Sequence, residues 1–163
     1  MKTLLIVYHS VTGGTLQMVQ AAARAAGTDR AVHVSVQRAA DTDASHVLAA
    51  DGYIFATPEN LAAMSGQLKD FFDRTYYAAL DQIVSRPYAI MICAGSDGHN
   101  AVRQIERIAT GWRLKAIAPP LIACTQAQTP ERILQQKKIP EADLARCRSL
   151  GAALAAGLAL GIF

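Results

Sequence analysis

Three hydroxyls and two glycines crowd into Ser10-Val11-Thr12-Gly13-Gly14-Thr15, between an uninterrupted apolar run and a segment with helical spacing. Glycines let a backbone approach a ligand closely, hydroxyls donate to anionic oxygens, and a helix N-terminus supplies unpaired N–H groups. The combination suits a phosphate. What is missing narrows the choice. No lysine follows the glycines as in a Walker loop, which argues against ATP. Gly-x-Gly-x-x-Gly is also absent, and Val36-Gln37-Arg38 stands where a dinucleotide fold places an acid, which argues against NAD held in that manner. With no cation in the loop, hydroxyls and amides must solvate the anion, a mode suited to a monophosphate held tightly inside the protein. The competing reading of the same residues is a turn that caps a helix and does nothing more.

Other chemistry-bearing residues are fewer. His9 precedes the loop, where it contacts phosphate or packs; His99 is either a solvated loop residue or a weak candidate for closing a site or donating a proton. Cys93, Cys124 and Cys147 have neither metal-ligand spacing nor a disulfide framework, so buried packing in a reducing cytosol is expected of each. A phosphoacceptor receiver would need an acid where Thr57 ends its strand. A low-molecular-weight tyrosine phosphatase needs Cys-x5-Arg, and Cys93 has His99 at the arginine position. Both uses are set aside.

The elements that must position the first loop follow from hydrophobic periodicity. Thr3–Tyr8 reads as a strand buried on both faces, and Leu16, Val19, Ala23 and Ala26 recur at helical intervals after it. Residues 31–36 alternate with period two, as an edge strand does. Gly52–Ala56 is continuously apolar and ends at Thr57-Pro58; Ser65 caps a helix with Leu68, Phe71, Phe72, Thr75 and Leu80 on one stripe. Tyr88–Ala94 is a fourth strand. Val102, Ile105, Ile108, Ala109 and Trp112 share a helical face, which places Trp112 in the core rather than against a ligand. Leu121–Cys124, after Pro119-Pro120, is a short fifth strand; Thr129-Pro130 opens a helical turn and Pro140-Glu141 the last long helix.

Alternating strands and helices imply an α/β fold, a three-layer sandwich around a five-stranded parallel sheet of order 2-1-3-4-5 in one domain spanning residues 1–163. The crevice at the switch point lies beyond strands one and three, where residues 10–15, 57–64 and 95–100 converge. The net charge of +3 comes from scattered Lys and Arg without a basic block, which favours anionic small molecules over nucleic acid as partners. The apolar run at residues 4–8 is too short for a signal peptide, and residues 150–163 fall short of the roughly 20 residues a membrane span needs. A core helix whose end is exposed or covered in a homo-oligomer is the simpler expectation for that tail.

Taken with their order and spacing, these residues resemble the flavodoxin superfamily over nearly the whole chain. The first loop fits its phosphate pattern, Ser/Thr-x-Thr-Gly-x-Thr, at every specified position. Asp51–Pro58 continued by Met64–Arg74 is similar to the corresponding block of FMN-dependent NAD(P)H:quinone reductases in that superfamily. The resemblance implies FMN as cofactor and NAD(P)H as co-substrate. It places the FMN phosphate on Ser10, Val11, Thr12, Gly13, Gly14 and Thr15, and the isoalloxazine against backbone groups of Thr57, Pro58, Glu59, Asn60 and Leu61 and of Gly95, Ser96, Asp97 and Gly98.

There are departures. The reductases often carry an aromatic followed by Gly-Asn in the second loop, where this chain has Asn60-Leu61-Ala62-Ala63, and no aromatic pair flanks the expected ring. Leu61 could cover one ring face, while Glu59 and Asn60 act either on the flavin or as turn residues. The expected chemistry is two-electron, ping-pong hydride transfer from NAD(P)H through flavin N5 to a small-molecule acceptor such as a quinone, in the cytoplasm. The alternatives are a one-electron carrier of flavodoxin type, which the positive charge disfavours, and a regulatory protein that keeps the fold.

Overall fold

Leu4, Leu5, Ile6 and Val7 are all buried because the sheet they enter is covered on both faces. The computed structural model describes residues 1–163. Its elements are β1 (Lys2–Tyr8), α1 (Gly14–Ala26), β2 (Val32–Arg38), α2 (Ala44–Ala49), β3 (Gly52–Asn60), β4 (Ala63–Met64) and α3 (Gly66–Ala79), followed by β5 (Pro87–Ala94), α4 (His99–Gly111), β6 (Lys115–Ala116), β7 (Leu121–Cys124), α5 (Pro130–Leu134) and α6 (Glu141–Leu160).

The sheet runs β2-β1-β3-β5, and both β6 and β7 pair with the outer edge of β5. This is the expected order, with β5 and β7 as the fourth and fifth strands. The fifth position is split, however. Pro87 and Tyr88 pair with Lys115 and Ala116, Met91 to Ala94 pair with Leu121 to Cys124, and the interruption at residues 117–120 holds two prolines that have no N–H to give. Strand two runs over 32–38 rather than 31–36, and as expected it lies at an edge.

Side-chain alternation sends Leu4 and Ile6 to one core and Leu5 and Val7 to the other. On one face, α1 and α6 close over the sheet through Met18, Val19, Leu150 and Leu154. The opposite core is aromatic. Phe55 meets Phe72 edge to face at 5.1 Å, and Trp112, fully buried, donates from Nε1 to the Tyr76 carbonyl at 2.9 Å. Cys93 and Cys147 are buried as expected, whereas Cys124 is only half-buried. No helix is long and apolar enough to cross a membrane. Leu160 and Ile162 at the end of the chain are exposed.

Candidate functional site

The turn from β1 into α1 begins where β1 runs out of partners: the His9 amide donates to the Ala56 carbonyl at 3.1 Å, and the chain then leaves the sheet. Gly13 takes φ 85° and caps α1 without any side-chain hydrogen bond. A side chain there would be strained. Gly14 has a different reason to be glycine, because a Cβ on it would lie 2.5 Å from Cys93 Sγ beneath the loop. Ser10 Oγ accepts from the Leu16 amide at 3.3 Å. The amides of Gly13, Gly14 and Thr15 donate to no group in the protein.

Thr15 is 1% exposed, yet its Oγ1 is also without a partner, as is His9 Nδ1. Burial lowers the His9 pKa, so that imidazole is held neutral. Unpaired buried donors are costly, and here several are concentrated at one helix N-terminus, whose dipole favours an anion. An adjoining cavity of about 330 Å³ is lined by Tyr8, His9, Ser10, Gly13, Arg38 and Gln67 among others. These groups fit a phosphate monoester such as that of FMN.

The second loop is a hairpin. β3 continues through Pro58 to Asn60, and β4 returns with Glu59 opposite Met64 and Asn60 opposite Ala63. The turn therefore falls on Leu61 and Ala62, at φ 49° and 62°, and not on Glu59 and Asn60. Thr57 Oγ1 accepts from the Ser65 amide at 3.0 Å and donates to the Pro58 carbonyl at 2.9 Å, tying the hairpin to the start of α3. Ser65 caps α3 as expected, accepting from the Leu68 amide. Leu61 stands fully in solvent.

The third loop docks on the second. The Gly98 amide donates to Glu59 Oε2 at 2.8 Å, and Asn100 Nδ2 donates to the Ala62 carbonyl at 2.6 Å. Glu59 thus has a structural partner, and the Gly98 amide is engaged by the protein itself. Gly95 and Ser96 lead from β5 towards Asp97. His99 Nδ1 pairs with Asp97 Oδ1 at 2.5 Å, with both side chains exposed at the rim. That contact pulls the Asp97 pKa below the ordinary carboxylate value. All three loops lie at the C-terminal ends of β1, β3 and β5, where an open α/β sheet places its ligand.

The segment after α5 is the part of this region that periodicity and motif did not reveal. It returns from beyond β7 to lie against the first loop, where the Lys137 amide donates to the Thr12 carbonyl at 2.8 Å. Four of the five residues at 135–139 are polar and Ile139 alone is buried, so no hydrophobic pattern marked them.

The profile of a family described as NADPH-dependent FMN reductase matches residues 42–129. A curated relative from Acidithiobacillus ferrooxidans, described as NAD(P)H dehydrogenase (quinone), is 33% identical over 95 residues, covering 46% of this chain and 48% of the relative. The match therefore spans about half the length of that relative. Among solved structures, a flavodoxin, WrbA-like protein from Agrobacterium tumefaciens superposes with a TM-score of 0.72 at 19% identity, over 96% of each chain. Flavodoxin 1 from Bacillus cereus gives a TM-score of 0.76 at 15% identity, over 96% of this chain and 99% of that one. At such identities these structures establish a flavodoxin-like fold.

Proposed function

Since this chain belongs to the NADPH-dependent FMN reductase family, we propose that it is an FMN-dependent NAD(P)H oxidoreductase that passes two electrons to a small-molecule acceptor, a quinone being the first candidate. The observation that carries the reading is the set of unpartnered, buried donors at the start of α1: the Thr15 hydroxyl and the Gly14 and Thr15 amides. FMN, when bound, supplies hydride acceptance and the return of two electrons to an acceptor.

The chain's own part is to bind and orient. Ser10 to Thr15 would hold the phosphate through hydroxyls and backbone N–H groups, with Arg38 the cation that lines the adjoining cavity. The hairpin of residues 57–64 and the turn of residues 95–98, held in mutual register by Glu59 on the Gly98 amide and Asn100 on the Ala62 carbonyl, would border the isoalloxazine. Fixing both edges in advance lowers the cost of ordering a ligand. His99, paired with Asp97 at the rim, is placed to meet solvent. The exposed Leu61 would offer an apolar surface to a bound ring. The quinone assignment rests on the name of the curated relative.

Anaerobic mixing of the FMN-loaded protein with NADPH tests the reading. Loss of the flavin's visible absorption, restored on adding a quinone, is expected. Flavin that stays oxidised with both NADPH and NADH would overturn it in favour of an electron carrier reduced by another protein.

A further inference from the structure

Gln17, one turn into α1, divides its side-chain donors between the phosphate loop and a piece of backbone 120 residues away. Its Nε2 donates to the Gly13 carbonyl at 2.9 Å and to the Lys137 carbonyl at 2.7 Å, while its Oε1 accepts from the Ile139 amide at 3.1 Å. Two acceptors at Nε2 and one donor at Oε1 fix the orientation of the amide. The Lys137 amide adds a fourth bond, to the Thr12 carbonyl at 2.8 Å. Residues 135–139 are therefore a strap laid along one side of the phosphate loop. The contact is close-packed, since a Cβ on Gly14 would lie 3.3 Å from Lys137 Cβ and 3.4 Å from Ile139 Cδ1.

The consequence follows from peptide geometry. In a trans peptide the carbonyl of one residue and the N–H of the next point in opposite directions. Holding the Thr12 and Gly13 carbonyls towards the strap and Gln17 therefore turns the Gly13 and Gly14 amides the other way, and those are amides with no partner in the protein. A loop carrying two consecutive glycines can flip its peptides at little steric cost, and a flipped peptide would present a carbonyl to an anion. The strap removes that alternative. Lys137 does not add its charge to the loop, because its Nζ donates to the Arg132, Ile133 and Gln135 carbonyls at the end of α5.

We propose that Gln17 is a positioning residue which, by clasping the strap of residues 135–139, sets the peptide orientation of the phosphate loop and so selects the phosphorylated flavin over the unphosphorylated one. This rests on the FMN reading above. Equilibrium binding of FMN and of riboflavin, followed by flavin fluorescence, tests it in the wild type and in Gln17→Met, a substitution that keeps length and volume but removes every hydrogen bond. FMN affinity is expected to fall about tenfold while riboflavin affinity stays within about twofold. A residue that merely stabilised the fold would weaken both alike.

Hydrogen exchange on the wild type gives a second readout that does not depend on the variant folding. FMN is expected to slow exchange of the Lys137 and Ile139 amides, and riboflavin is not. An unchanged FMN-to-riboflavin ratio in Gln17→Met, or strap amides indifferent to FMN, would overturn the proposal while leaving the FMN site intact. A wild type that binds neither flavin would sink the FMN reading and this inference together.

Discussion

Thr15 carries the plainest energetic signature in the chain. Its hydroxyl is buried at the N-terminus of α1 and has no partner, a state that costs about 1–3 kcal/mol where no ligand relieves it. Thr15→Val replaces it with a methyl of the same shape. The apoprotein should gain stability, seen as a raised melting temperature, and FMN should bind about tenfold more weakly because a hydrogen bond to a charged group is lost. A variant that melts lower and binds FMN equally well would mean the hydroxyl serves packing alone. Thr15 was legible in the sequence because its context is local: glycines, hydroxyls and a helix start within six positions. Gln17 was not, because its partners in the strap lie at separations of 120 and 122 residues and nothing in its own neighbourhood marks it.

Among the elements, the hairpin of β3 and β4 departs furthest from local preference. A two-residue turn with positive φ at both positions favours Asn-Gly, yet Leu61 and Ala62 occupy it. Two successive non-glycine residues in the left-handed region store strain, offset here by the Gln104 side chain on the Met64 amide and by Asn100 on the Ala62 carbonyl. Ala62→Gly should therefore stabilise the protein by about 1 kcal/mol, read from the midpoint of urea unfolding at constant slope. An unchanged or lowered midpoint would contradict the strain. Sequence alone ended the third strand at Thr57-Pro58, where the continuous apolar run stops. In the structure β1 stops pairing at Tyr8 opposite Ala56, so β3 beyond that point has an open flank where proline is tolerated. The two-residue β6 was missed for a related reason: Lys115 and Ala116 are both exposed and carry no apolar pattern.

At the scale of the molecule, the layered architecture was readable because three strands are apolar throughout and one alternates, which sorts centre from edge. The closure of the site was not, because it depends on side chains reaching between loops. Burial also sets how the whole fold answers to pH. It pushes the Cys93 and Cys147 thiols up from 9.0 to about 11. The folded state therefore binds these protons more tightly than the unfolded chain. Their contribution to stability is complete below pH 9 and is lost as pH rises towards about 11, so unfolding midpoints should fall across that window and the fall should shrink in Cys147→Ala. A flat profile would show that these thiols ionise as readily folded as unfolded. The flavin chemistry depends on what the opening turn of α1 holds, and a crystal structure of the complex with FMN would show it. Phosphate oxygens are expected within hydrogen-bonding distance of Thr15 Oγ1 and the Gly13 and Gly14 amides. A phosphate seated elsewhere, with those donors still unpaired, would contradict that expectation.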